Sequence, residues 1–265
     1  MTSQLKTVLL LALLSAIIIF FGGLLGGRGG MLFAFGLALF MNLGSYWYSD
    51  KIVLHMYNAR EVLYEDAPKL HDIVSELARR ASLPPPRVFI VPEEAPNAFA
   101  TGRDPEHAVV AVTEGLMRIL STEQLRGVLA HEMAHIKNRD ILIQTIAGVL
   151  ASAIVTLANM FQFAAIFGNR DEEGGNPVAG IVLALLAPVA ASIIQMAISR
   201  SREYLADDTG AMLANDPLAL ANALRSLGQA SGALPMQRGN PSTEQMFIVQ
   251  PTFAVGESVG RLFST

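Results

Sequence analysis

Two histidines four residues apart, with a glutamate beside the first, stand at His131-Glu132-Met133-Ala134-His135. On a helix, residues i and i+4 share one face with Cβ atoms about 6 Å apart, so both imidazoles can converge on one metal ion. Glu132 is displaced around the helix from that face. It can take a proton from a water that the metal acidifies, while the ion also polarises a peptide carbonyl. The spacing therefore points to zinc-assisted peptide hydrolysis. The pattern uses two of only five histidines in the chain, and there is no cysteine. That absence removes thiolate zinc sites, disulfides, iron–sulfur clusters and cysteine nucleophiles together, so any metal must be held by His, Asp and Glu.

A third ligand has to come from elsewhere. The sequence after Ala134 reads HIKNRD, so no histidine follows at the H-E-x-x-H-x-x-G-x-x-H spacing. A downstream carboxylate is required, and Arg202-Glu203-Tyr204-Leu205-Ala206-Asp207 offers two. Glu203 and Asp207 again stand at i and i+4, on one face of a helix.

These residues need elements to position them. Ser121 with Gln124 three residues on is a capping-box pattern, which predicts a helix from there to about residue 138 that carries the motif. Residues 66–81 read as an amphipathic helix with Leu70, Ile73, Val74 and Leu77 on one face, stopped by Pro84-Pro85-Pro86. Residues 87–91 and 107–112 read as short strands, separated by a loop containing Pro92, Pro96, Gly102 and Pro105. Helices are expected over 200–213 and 217–227, with a loop-rich tail from residue 231.

The remainder of the chain is strongly apolar. Of 265 residues 52% are hydrophobic and only 16% charged, with a net charge of −4. Disorder is excluded, and a basic surface for nucleic acid is lacking. Residues 7–27 and 29–49 form two uncharged runs, each long enough to cross a bilayer, and the second ends in Tyr46-Trp47-Tyr48, where an interfacial aromatic belt belongs. The first run is too long for a secretory signal peptide. Two further runs, 141–169 and 174–199, read as a second hairpin around Arg170-Asp171-Glu172-Glu173, the alternative being a buried hairpin of a soluble core. With four spans and the N-terminus inside, Lys6, Lys51, Arg60, Lys137, Arg139, Arg200 and Arg202 lie on the inner side and only Arg28 and Arg170 on the outer side. Both polar segments are therefore expected to be cytoplasmic.

HEMAHIKNRD, then a hydrophobic hairpin, then SRSREYLADDTGA, with Asn97-Ala98-Phe99-Ala100-Thr101-Gly102 upstream, resembles the HtpX family of membrane zinc metalloproteases. The resemblance runs over nearly the whole chain. It implies one Zn2+ per chain held by His131, His135 and Glu203, Glu132 as general base, and Asp207 orienting a ligating histidine. It also implies a protease on the cytoplasmic face of a bacterial inner membrane, acting in stress-related quality control on misfolded or damaged membrane proteins. The family pattern continues into a His-Pro-Pro stretch after the point where this sequence reads Phe263-Ser264-Thr265.

One argument favours Glu203 over Asp207 without that resemblance. The midpoint between His135 and Glu203 falls at residue 169, beside the turn of the second hairpin, so antiparallel arms return Glu203 to the level of His135. Asp207 lies one helical turn, about 6 Å, further on. Substrate is expected at an extended edge formed by Asn97, Ala98 and Phe99 and the strand after them. Tyr204 and His107 are the candidates for oxyanion stabiliser.

The expected architecture is mainly α with a small β-sheet: a multi-pass α-helical membrane protein with a gluzincin-like metalloprotease domain. Its parts are a transmembrane hairpin (1–50), a cytoplasmic part with the metal helix (51–140), a second hairpin (141–199) and a cytoplasmic part with the third ligand (200–265). A processing protease of the CAAX prenyl protease type is disfavoured because such enzymes enclose their site in more spanning helices. A non-catalytic membrane adaptor or chaperone is disfavoured by the intact motif. Substrate identity and oligomeric state are not encoded legibly.

Overall fold

The computed structural model describes residues 3–152, 200–230, 236 and 246–248. The chain opens with α1 (Ser3–Met56), which reverses at Gly27, where φ is 57° and ψ −142°. A side chain would strain that backbone, and glycine is free to adopt it. The reversal falls between the two uncharged runs and yields antiparallel arms, joined across 27 residues by Asn42 Nδ2 donating to Ser15 Oγ at 2.7 Å. Among the described residues one segment, Gly26–Met56, is long and apolar enough to cross a bilayer, with only 17% of its most apolar window buried. Leu32, Phe33 and Phe40 project from it largely exposed, and Trp47 is half exposed. Most of the expected second hairpin, residues 153–199, lies outside the described residues, as does its turn.

Behind the hairpin the chain builds a four-stranded mixed sheet in the order β1-β2-β4-β3. The strands are β1 (Arg60–Glu61), β2 (Arg87–Val91), β3 (Ala98–Thr101) and β4 (Val109–Thr113). β2 and β4 run parallel, and β1 and β3 flank them antiparallel. Two expectations need correcting. The segment between the anticipated strands is not all loop, because Ala98–Thr101 is a strand buried on both faces. A strand buried on both faces shows no polar–apolar alternation, so its period is invisible in sequence. The following strand begins at Val109 rather than His107, because Pro105–His107 forms a 3₁₀ turn whose N-cap Asp104 accepts from the His107 amide.

Helices pack on both sides of this sheet: Val53 and Leu54 at the end of α1 meet Phe89, Phe99 and Ala111 on one face, and the helices that carry the motif cover Val88, Val110 and Ala100 on the other. α2 (Pro68–Ala81) buries Leu70, Ile73, Val74 and Leu77, the stripe expected from its spacing. After the short α3 (Glu114–Ile119), α4 (Thr122–Lys137) forms the centre of the catalytic half. Its capping box is complete: Ser121 Oγ accepts from the Gln124 amide at 3.3 Å and Gln124 Oε1 accepts from the Ser121 amide at 3.0 Å. Gln124 Nε2 also reaches Ser226 Oγ at 2.9 Å, which ties the start of α4 to the last helix. α5 (Ile141–Ser152) follows, then α6 (Arg200–Ala214) and α7 (Pro217–Ala230). α4 packs against α2, α6, α7 and β3. Glu76 joins α2 to α4 through Arg126 at 2.6 Å, and Arg80 joins α2 to α6 through the Leu213 carbonyl at 2.9 Å.

The crossing of α6 over α4 is the contact that positions the site. Gly210 on α6 lies against the backbone of α4 at the first motif histidine. A Cβ there would sit 3.0 Å from the His131 amide nitrogen and 3.1 Å from its Cα. Without a side chain at Gly210 the helices approach closely enough for the residues one and two turns earlier to reach His131. Gly210→Val is expected to wedge the helices apart and destabilise the fold by about 1–3 kcal/mol, with Gly210→Ala milder. Thermal unfolding checks this, and an unchanged midpoint for the valine variant would contradict it.

Candidate active site

Residues 127–136 of α4 are buried, with His131, Glu132 and His135 at 6%, 3% and 4% exposure. His131 Nε2 and His135 Nε2 stand 3.1 Å apart. Glu203 Oε2, arriving on α6, lies 3.6 Å from each of them. Ligands about 2.0–2.1 Å from a tetrahedral zinc are separated by about 3.3 Å, so the observed triangle has the dimensions of three corners of that site. The three side chains form the one His/Asp/Glu group among the described residues that could hold a metal ion. They open onto a cleft of about 200 Å³, and half-exposed Glu203 faces solvent on that side.

Each imidazole is held from behind. His131 Nδ1 meets Asp207 Oδ1 at 2.9 Å, and His135 Nδ1 meets Asp140 Oδ1 at 3.1 Å. An N–H donated from Nδ1 leaves the Nε2 lone pair pointing at the centre of the triangle. Asp140 was not anticipated from the sequence. It reaches back because Arg139 adopts φ 57° just past the helix end and the Asp140 amide then bonds to the His135 carbonyl at 3.2 Å. Arg202, next to Glu203, is buried with its Nε 3.9 Å from Asp140 Oδ2, and among the described residues its guanidinium nitrogens have no hydrogen-bond partner. Its charge offsets the local excess of carboxylates.

These contacts set the protonation of the metal-free cluster. Burial disfavours a charged ring at His131, yet hydrogen bonds to Asp207 and Glu203 outweigh it and push the imidazole up to about 9. For His135 burial is again outweighed, by Asp140 and Glu203, and the ring rises to about 10. Burial would raise Glu203, but the two imidazoles hold its carboxyl far below the usual carboxylate range. Glu132 shifts the other way: burial pushes its carboxyl up, against the pull of the two histidines. A carboxyl raised in this manner holds a proton more readily than an exposed one, which suits a group that takes and returns protons.

Glu132 also receives a hydrogen bond from the Ala100 main-chain amide, which links the motif to strand β3. β3 is an edge strand, and its Ala98 carbonyl accepts from the Ile248 amide at 3.3 Å. Met246, Phe247 and Ile248 line the cleft, and the Phe247 ring packs edge-on against Tyr57 and Phe99. The expected edge thus borders the site, but the side chains of Asn97, Ala98 and Phe99 are 2%, 0% and 1% exposed. What they present is backbone, and part of it is taken by the chain's own later segment. Gln144 lines the cleft as well. Of the two suggested oxyanion stabilisers neither does: Tyr204 is 68% exposed, and His107 is bound to Asp104 at 2.6 Å.

Comparison with known proteins decides the family. Residues 65–263 match peptidase family M48, three quarters of the chain and all of the site. The chain belongs to peptidase family M48. As an M48 peptidase it is a metalloprotease, a hydrolase of peptide bonds, and the HtpX resemblance seen in its motifs is borne out. It is similar to the protease HtpX homolog of Syntrophobacter fumaroxidans, 55% identical over 270 residues that cover 100% of this chain and 95% of that protein. The protease HtpX homolog of Pyrococcus furiosus is 57% identical over 262 residues, 98% of this chain and 90% of that one. The crystal structure of S. mikatae Ste24p aligns with a TM-score of 0.51 at 17% identity, over 94% of this chain and 63% of that one, which shows a shared fold.

The raised imidazoles give this M48 site a pH signature. Both rings are raised above the ordinary value of 6.5, so the metal-free pair holds more protons at pH 7 than free imidazoles would. Their stabilising contribution is complete below pH 6.5 and is lost as pH rises through about 9 to 10. A metal must displace those protons, so its affinity rises with pH over the same range. Zinc titration into chelator-treated protein at pH 7, followed calorimetrically in two buffers of different ionisation heat, should release roughly one to two protons per ion. No proton release would contradict the charge state deduced from the cluster.

Proposed function

We propose that this M48 peptidase is a membrane-anchored zinc endopeptidase that cuts misfolded or damaged membrane proteins at the cytoplasmic face of the inner (plasma) membrane. The observation that carries the reading is the triangle of His131 Nε2, His135 Nε2 and Glu203 Oε2, whose edges of 3.1, 3.6 and 3.6 Å suit a tetrahedral ion. With ligands restricted to imidazole and carboxylate, zinc fits the set. Bound there, it supplies the Lewis acidity for peptide-bond hydrolysis.

The protein's own groups supply the rest. Asp207 and Asp140 hold the imidazoles by Nδ1, so that Nε2 of each is the ligating atom. Glu132 Oε takes a proton from the attacking water and returns it to the departing amine, and its raised carboxyl suits both transfers. The Ala100 amide keeps that carboxylate aimed along β3. An extended peptide pairs with the outer edge of β3 through Ala98 and Ala100, taking the place of Ile248 at the Ala98 carbonyl. The exposed apolar face of α1 supports the anchor, since Leu32, Phe33 and Phe40 on one short stretch need a lipid surround. The proposed organisation is that expected from sequence: hairpin 1–50, protease parts 51–140 and 200–265, and a second hairpin 141–199, with both polar parts on the side favoured by their Lys and Arg.

The test uses the full chain and an unfolded, fluorescently labelled casein. Chelation should abolish cleavage and added zinc should restore it. Glu132→Gln should keep its zinc and lose at least about 10²–10⁴ in turnover, because the ligands remain while the base is gone. Substantial turnover by the zinc-loaded variant would remove Glu132 from the role.

A further inference from the structure

A second cavity, of about 360 Å³, lies between the hairpin α1 and the catalytic half. One side is apolar, formed by Val8 and Leu11 of the first arm and Leu142 at the start of α5. The other side carries two guanidinium groups, Arg103 and Arg139, beside the Tyr46 phenol. Arg103 is half-buried and lies 4.7 Å over the Trp47 ring, which fixes it against the hairpin. Its Nε is 3.4 Å from Asp104 Oδ2, and Asp104 is already engaged by the His107 amide at 2.9 Å and ring at 2.6 Å. Arg139 is exposed and makes no ion pair among the described residues. Asp104 is the single acid in the lining against two arginines, so the polar end keeps a positive charge.

The position of the cavity narrows the choice of ligand. Trp47 and Tyr48 each carry a cation against the ring, Arg103 at 4.7 Å and Lys51 at 5.2 Å. Aromatic rings with lysine and arginine collect at the headgroup level of a bilayer. The Ser15–Asn42 bond sets the register of the two arms and places Leu11 opposite Tyr46, at that same level. A free anion would use the arginines and leave the apolar wall uncovered. A ligand with a phosphate at one end and hydrocarbon at the other covers both, and guanidinium groups match phosphate oxygens well.

We propose that this cavity binds an anionic phospholipid, with Arg103 and Arg139 on its phosphate and Val8, Leu11 and Leu142 against the upper part of its acyl chains. The assignment rests on the reading of α1 as a membrane hairpin. Arg139 immediately precedes Asp140, the residue behind His135, so the lipid sits one residue from the support of the metal site.

Native mass spectrometry on the full chain tests it, with Glu132→Gln as background to prevent self-cleavage. The protein in detergent is titrated with phosphatidylglycerol and with phosphatidylcholine of the same chain length. Phosphatidylglycerol should bind at least about tenfold more tightly, as expected for two arginines near an anionic headgroup. Arg103→Gln with Arg139→Gln should erase the difference. Arg139→Gln alone, which leaves the Arg103–Trp47 contact in place, should reduce it severalfold. Zinc content equal to that of the background protein shows that the variants are folded. Equal binding of the two lipids, or an undiminished preference in both variants, would overturn the proposal. Displacement of the lipid by millimolar inorganic phosphate would assign the site to a free anion and overturn it too. Alkaline carbonate extraction of membranes separates the two levels: release of the wild type defeats the membrane reading itself, whereas retention without lipid preference defeats only the site.

Discussion

Two imidazole nitrogens 3.1 Å apart in a buried pocket cannot both carry protons without repelling each other, nor stay bare beside four carboxylates. Glu132, Asp140, Glu203 and Asp207 surround His131 and His135, with Arg202 a buried cation nearby. Such a cluster demands positive charge at its centre. In the metal-free protein the demand raises both imidazoles; a divalent ion meets it with one centre and removes the repulsion. The same electrostatics that keep the rings protonated without metal make the site a strong ligand set with it. The carboxylates behind each ring are therefore as necessary as the ring in front.

The rest of the catalytic half serves that geometry. α4 can place the histidines only where its last two turns are buried, so it is surrounded by α2, α6, α7 and the sheet. α6 can deliver Glu203 and Asp207 only by lying close to the α4 backbone, which the bare Gly210 allows. β3 adds an edge whose outer Ala100 amide holds Glu132 and whose Ala98 carbonyl is occupied by Ile248. The protease thus carries a piece of its own chain against the edge proposed for substrate. The hairpin α1 stands apart from this logic. Along most of its length it exposes large apolar side chains, and it meets the catalytic half at Trp47, where Arg103 lies on the ring, and at its end, where Val53 and Leu54 pack against the sheet.

Local signals were read well from the sequence, and long-range ones unevenly. The capping box at Ser121 and Gln124 and the i, i+4 histidines depend on one helix, so spacing sufficed. The reversal at Gly27 was legible because two uncharged runs meet there. Glu203 and Asp207 were legible as a pair on one helical face, and the structure brings both to His131, one to Nε2 and one to Nδ1. Asp140 was missed although it lies five residues after His135, because its contact depends on a left-handed turn at Arg139 that a non-glycine residue does not announce. β3 was missed because a strand buried on both faces carries no alternation. The edge expected at Asn97, Ala98 and Phe99 is a main-chain edge, and their side chains belong to the core, Phe99 against Tyr57 and Phe247.

The central claim is that α6 completes the metal set with Glu203 while Asp207 and Asp140 act through the imidazoles. Zinc affinity measured by competition with a chromophoric chelator, across Glu203→Ala, Asp207→Ala and Asp140→Ala, tests it most directly. The account predicts that Glu203→Ala no longer retains zinc, whereas each aspartate variant keeps the site with affinity weakened about 10–100-fold. Full occupancy in Glu203→Ala, or complete loss confined to Asp207→Ala, would show that the assignment of the carboxylates is wrong.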